Sequence, residues 1–397
     1  MARAATATLP MHHGARTRTR LGTGWEAPAM LLITVALLSF GFVSVYSASA
    51  VNAMNRGVPH YYFVLQQMIG AALGLIGLAI MAQIDYRRLR MLAWPLLFIV
   101  IVMLILVILP GMESIAPRIN GARRWLRIGP VQIQPSEFAK LALIIWTAAL
   151  AVKKQDKLSS LSRGLLPFLT VWGFILLLIF MQPNLSTGVF VLFFSVLVVY
   201  AAGARIGHFI VLGVVGLPLL WQHVDGVKYA MQRIATWLDP SHDPAGIGWQ
   251  INQAMIAVGS GGIWGRGFGH GMQKFGYLPE PHNDFILAMI GEEWGFIGVM
   301  VVIVAFTAFA LIGYRIAKQA EDLFGFLLAI GLTNLIAIQA MLHVAVNLAV
   351  LPTTGVTLPF MSYGRSSLLV CLASVGILVN IARRASSPEL TVKGAAL

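Results

Sequence analysis

The chain has 397 residues, 58% of them hydrophobic and only 11% charged; a soluble domain carries roughly 25% charged residues, so a single aqueous core is excluded and an integral membrane protein is implied. The formal net charge is +13; basic loops on the cytoplasmic side of a membrane account for it, so nucleic acid is not the implied partner. The single cysteine, Cys371, excludes an intramolecular disulfide and a multi-cysteine metal site.

The first 26 residues are basic and polar and read as a cytoplasmic tail without a cleavable signal peptide. A polytopic membrane region over 27–384 and a second cytoplasmic tail over 385–397 follow. Ten apolar spans, each near the ~20 residues that cross hydrocarbon, are expected at 28–48, 62–83, 91–110, 136–152, 164–181, 186–202, 206–221, 284–313, 323–348 and 366–382. With the N-terminus inside, 17 basic residues fall on the inner side and ten on the outer, which favours an all-α bundle with both termini in the cytoplasm.

The outer cations are unevenly placed. Six of the ten lie around Arg123 and Arg124 or in the long connection 222–283 between spans 7 and 8, which holds Lys228, Arg233, Arg266 and Lys274. A connection of that length without strong secondary structure tends to be functional. Either these are ordinary solvated charges, or they meet a phosphate or pyrophosphate on the outer face.

Local motifs sharpen the picture. In Asn120-Gly121-Ala122-Arg123-Arg124-Trp125, two arginines beside an indole hold an anionic headgroup or anchor the chain at the interface. In Gln134-Pro135-Ser136-Glu137-Phe138-Ala139-Lys140, Ser136 reads as an N-cap. Glu137 and Lys140, three residues apart, either snorkel or form a charge pair lining a cavity. Gln182-Pro183-Asn184 is a tight outer turn. The glycines of 257–269 lack the strand–turn–helix setting of a dinucleotide site; they let backbone approach a ligand or another loop closely, or merely confer flexibility.

Four of the fifteen acidic residues, Glu280, Asp284, Glu292 and Glu293, lie within 278–298. Asn283 or Asp284 either N-caps the eighth span, or Asp284 faces water and the outer cations as a catalytic base. On a continuous helix Glu292 lies about 80° from Asp284 and Glu293 nearly opposite, so those two read as bonding to neighbouring helices. The hydroxyl-rich segment 351–367, with Ser362 and Arg365, is a plain loop or a re-entrant loop suited to a carbohydrate.

The order of these motifs, from Tyr46-Ser47-Ala48-Ser49 through NGARRW, QPSEFAKL, QPNLST, AVGSGGIWGRGFG, YLPEPHNDFILAMIGEEWGFIG and LPTTGVTLPFMSYGRSS, resembles the SEDS family of bacterial membrane proteins, which comprises FtsW, RodA and SpoVE. Its wording is more similar to the division branch than to the elongation branch. Asn184 and Arg365 depart from the family's usual Asp and Gly.

The resemblance implies a peptidoglycan glycosyltransferase of the bacterial cytoplasmic membrane, at the division septum. It would polymerise lipid II with a class B penicillin-binding protein and other divisome membrane proteins as partners. The family's essential Asp matches Asp284, expected to act as general base. Arg123, Arg124, Trp125, Glu137, Lys140, Arg233, Arg266, Lys274, Glu280, Ser362 and Arg365 are the candidate substrate-binding residues. No spacing demands a cofactor, although Mg or Mn can share in neutralising a pyrophosphate. A lipid II flippase, an elongation-type polymerase and a recruiting scaffold are the alternatives.

Overall fold

The computed structural model describes residues 24–118, 121–129, 131–211, 213–214, 226–239 and 246–386. Apolar runs with no water to satisfy their peptide groups fold as helices, each of which pairs its own backbone. The helices are α1 (Glu26–Asn55), α2 (Tyr62–Gln83), α3 (Arg87–Ile108), α4 (Pro135–Lys153), α5 (Leu166–Phe180), α6 (Leu185–Ala201), α7 (Gly226–Leu238), α8 (Ile247–Gly261), α9 (Ile286–Gln319), α10 (Leu323–Asn347) and α11 (Arg365–Ser386). Among the described residues eight are long and apolar enough to cross a membrane, counting α5 with the turn that leads into it; α6 is apolar but shorter. Of the expected seventh span, residues 206–211 are helical, and most of the rest lies outside the described residues.

The core is built on α4, α10 and α11, which are buried over most of their length, whereas α2 and α3 turn most of their surface outward. Trp146 and Phe168 fill the layer between α4 and α5, and Phe306, Phe309 and Phe360 stack where α9 meets the segment before α11.

One end of the bundle is held by charge pairs between helix ends: Arg315 to Glu26 at 2.8 Å, Arg87 to Asp322 at 3.0 Å and Arg384 to Asp85 at 3.2 Å. The opposite end gathers the motif-bearing segments. There Arg56 after α1 meets Glu280 at 2.7 Å, Arg233 of α7 donates to Thr353 O at 2.9 Å, and the Gln134 amide donates to Ser366 Oγ at 2.9 Å.

Three features depart from the sequence expectations. Residues expected to loop past Trp125 form an antiparallel hairpin, β1 (Leu126–Ile128) and β2 (Val131–Ile133), with Arg127 opposite Gln132; its β-branched residues favour a strand, and Gly129 supplies the positive φ of +61° at the turn. The long connection carries α7 and α8 rather than being bare loop; α7 is tied to the 349–353 segment by Trp237 Nε1, which donates to Ala349 O at 2.7 Å, and by Arg233, which donates to Thr353 O. Third, α9 is broken at Gly295, with φ 68° and ψ −162°.

Candidate active site

Asp284 lies two residues ahead of α9, at the end that collects the motifs, and is half-buried. It does not cap the helix, nor does Asn283: the N-cap is Phe285, whose side chain makes no capping bond. The turn is held from outside instead. Three successive carbonyls are gripped, His282 O by the Tyr363 amide at 2.9 Å, Asn283 O by Ser362 Oγ at 2.7 Å and Asp284 O by Asn347 Nδ2 at 3.0 Å. The carboxylate itself lies against the 351–364 segment, where a Cβ added to Gly355 would sit 3.7 Å from Asp284 Oδ2.

Burial pushes the Asp284 carboxyl up to about 6; Arg233 and Arg124 pull it down, and Glu280 adds to the rise. Such a group is ionised at neutral pH yet basic enough to take a proton. His282 next to it is buried against Phe63 and Tyr363, and burial together with Arg56 holds it neutral, with its pKa down at about 3.

The other carboxylates of this end are engaged. Glu113 pairs with Arg123, and Glu280 with Arg56. Glu137 pairs with Lys140 at 2.8 Å, Glu292 accepts from the Met272 and Gln273 amides, and Glu293 pairs with Lys274 at 2.9 Å. Among the described residues none donates a hydrogen bond to the carboxylate of Asp284, which leaves its oxygens open to a substrate proton. No three His, Cys, Asp or Glu side chains among the described residues converge as a metal site.

Of the candidate substrate contacts, Arg124, Arg233 and Glu280 act on Asp284 through space. Arg124 also braces the Gln182-Pro183 turn by donating to both carbonyls, and Trp125 is half-buried beside it. The others have different commitments. Lys140 donates to Gln339 Oε1 at 3.0 Å, and Gln339 in turn donates to Thr357 O at 2.9 Å, so the Glu137–Lys140 pair supports the 351–364 segment from below. Lys274 is enclosed by Glu293, Ser47 and Gly269 O. Ser362 is 4% exposed and spends its hydroxyl on Asn283 O and the Leu358 amide, so it holds the turn. Arg365 extends along α2 to Gln66 at 2.9 Å, and Arg266 lies 3.5 Å from Glu292. Ser136 is not a cap either; α4 begins with Pro135, and Ser136 Oγ accepts from Gln134 and Asn184.

The glycines of 257–269 serve close backbone approach. The break at Gly295 frees the Glu292 and Glu293 carbonyls, which accept from the Arg266 and Gly267 amides at 2.9 and 3.0 Å; the Phe296 amide donates back to Gly262 O at 2.8 Å. A Cβ at Gly261 would fall 1.9 Å from Gly291 O and one at Gly265 2.2 Å from Glu293 O, so only glycine admits the crossing.

Sequence reasoning missed the α10 residues that serve the site. Gln339, His343 and Asn347 recur every fourth position along one face and contact Thr357 O, Val356 O and Asp284 O. That spacing of polar side chains inside an apolar run was the signal available.

Comparison with known proteins agrees with this arrangement. Residues 28–387 match the FtsW/RodA/SpoVE family, described as cell cycle proteins. The chain is 44% identical over 366 residues to the probable peptidoglycan glycosyltransferase FtsW of Trichlorobacter lovleyi, covering 92% of this chain and 95% of that one. It is 41% identical over 354 residues to the stage V sporulation protein E of Bacillus subtilis, covering 89% and 96%. Its fold is similar to a chain from a peptidoglycan synthase complex studied for the coordination of polymerization and crosslinking, with TM-score 0.73, 28% identity and 90% and 98% coverage. It is also similar to the rod shape determining protein RodA of Thermus thermophilus, with TM-score 0.65, 26% identity and 90% and 97% coverage. The chain is thus a multi-pass membrane protein of the FtsW/RodA/SpoVE family.

Proposed function

We propose that this protein is a peptidoglycan glycosyltransferase that polymerises lipid II into glycan strands on the outer face of the bacterial cytoplasmic membrane, with Asp284 as general base. The observation that carries the reading is the contrast among the carboxylates: Asp284 alone of those described above has no donor on its oxygens, while burial keeps it basic. In the reaction the acceptor's sugar hydroxyl gives its proton to Asp284 as its oxygen bonds to the donor's anomeric carbon. The bond from that carbon to the lipid pyrophosphate breaks, and the leaving group carries away the electron pair. Arg124 and Arg233, whose charge reaches Asp284, are placed to offset the developing negative charge. A Mg or Mn ion carried on the pyrophosphate would add to this without a protein cage.

The basic end faces the cytoplasm and the motif end faces outward in this reading. A flippase would need polar groups leading from one face to the other. Glu137, Lys140, Glu293 and Lys274 are instead bonded among themselves toward the motif end, which favours the enzyme. The similarity to the 41–44% identical sporulation and division relatives supports a septal rather than a side-wall role. The neighbour from a complex that coordinates polymerization and crosslinking supports a crosslinking partner, which we read as a class B penicillin-binding transpeptidase; further divisome membrane proteins are part of the same proposal.

The test is polymerisation of purified lipid II by this protein with and without its transpeptidase partner, beside Asp284→Ala. Strands from the wild type and none from the variant are expected. An active Asp284→Ala protein would remove the central assignment, and absence of strands from every sample would shift the reading to lipid movement.

A further inference from the structure

We propose that Asn347 is the positioning residue for the general base, fixing the turn that carries Asp284 through a helix cap supplied from the neighbouring helix. The proposal rests on the function given above. A helix leaves its first four amides without intrahelical partners, and the N-cap side chain usually serves one of them. In α9 the N-cap is Phe285, which cannot do so. The role passes to α10. Asn347 Oδ1 accepts from the Ala288 amide at 3.0 Å, the third residue of α9, while Nδ2 donates to Asp284 O at 3.0 Å and to His343 O at 2.9 Å. Asn347 is fully buried, and both amide protons and the oxygen are used. One planar group therefore clamps the residues on either side of the helix start, and the direction of the Asp284 side chain follows from that of its backbone. Ser362 and Tyr363 hold the two preceding carbonyls, so the segments at either end of the 348–364 connection grip the same turn.

Nothing else in the site explains a buried asparagine at this place. Its three bonds all go to backbone groups of the helix start and of its own helix. Misplacing a reacting group by about 1 Å costs on the order of 100-fold in rate, so a clamp on the base is a rate-determining feature even though it never touches substrate.

The experiment uses the full chain with its transpeptidase partner and compares Asn347→Leu, of similar size and without polar atoms, with Asn347→Asp, which keeps the acceptor for Ala288. For Asn347→Leu the expected result is a loss of about 10- to 100-fold in kcat with KM for lipid II changed little. For Asn347→Asp, which loses the donors to Asp284 O and His343 O, kcat falls as in the leucine variant and the acid limb of the kcat–pH profile moves upward from about 6, because the new carboxyl is held against the Asp284 carbonyl. Wild-type kcat in Asn347→Leu would overturn the proposal. So would an unmoved acid limb in a well-folded Asn347→Asp, which also decides the matter if the leucine variant fails to fold. Failure of the underlying function looks different: the wild type then makes no strands, or Asp284→Ala makes them.

Discussion

Lys274 Nζ and Glu293 Oε1 lie 2.9 Å apart, with side chains only 6% and 3% exposed. The pair ties the loop after α8 to α9, and Ser47 of α1 joins it by donating to the same Glu293 oxygen at 2.6 Å. Removing one member strands the other as a buried charge, which costs about 3–5 kcal/mol, whereas replacing both with apolar residues is far milder. Lys274→Met is therefore expected to lower the thermal unfolding midpoint in detergent strongly. The double variant Lys274→Met/Glu293→Met should recover much of that loss; equal damage from both would show that the network's value lies elsewhere.

Asp284 sets the pH dependence. The base must be ionised, and its pKa of about 6 places the acid limb of polymerisation there, with activity rising from pH 5 to a plateau above pH 7. Asp284→Asn, which keeps the shape and removes the basicity, is expected to reduce kcat by about 10²- to 10⁴-fold. Strand synthesis by Asp284→Asn at near wild-type rate would contradict the role.

The neighbours of Asp284 should move that limb in opposite directions. Arg233 lowers the Asp284 pKa and Glu280 raises it. Arg233→Gln should shift the limb to higher pH, so activity falls most near pH 6; Glu280→Gln should shift it to lower pH. Profiles of the two variants that move together would refute the electrostatic account. Because the Arg56–Glu280 pair is largely exposed, Glu280→Gln should change stability by less than about 1 kcal/mol.

Gly295 admits no side chain. Its φ of 68° with ψ of −162° is a glycine region, and an added Cβ would lie 2.3 Å from the Gly265 amide nitrogen. Gly295→Ala is expected to cost about 1–3 kcal/mol in backbone strain alone, with the clash in addition. The recovery of monodisperse protein after detergent extraction should drop sharply, while Gly77→Ala, on an open face of α2, should be recovered like the wild type.

The membrane helices were legible as long apolar runs, and acidic residues crowded into one stretch pointed to the segment where Asp284 meets the other motifs. The partition of the cations was not. Lys274 and Arg365 look alike on paper as outward charges, and only the packing against α9 and α2 shows that each has an internal partner, whereas the spacing of Glu137 and Lys140 already offered their pair. Ser136 is no cap because α4 starts one residue earlier, at Pro135, and neither Asn283 nor Asp284 caps α9 because Asn347, from another helix, serves the Ala288 amide there. The orientation of Glu292 and Glu293 was read on an unbroken helix; they sit just before the break at Gly295 and still turn away from Asp284, toward Arg266 and Lys274.

The crossing at Gly295 is read by peptide groups rather than by side-chain shape, since amides and carbonyls of 262–267 and 292–297 satisfy one another. Ile263, Trp264 and Phe296 project outward from it, and Trp264 is 80% exposed. The crossing thus asks for glycine at a few positions and leaves its outer decoration free to drift. A lineage can retune how this corner meets surrounding lipid or a neighbouring protein by exchanging those three side chains, without rebuilding the scaffold that carries the base.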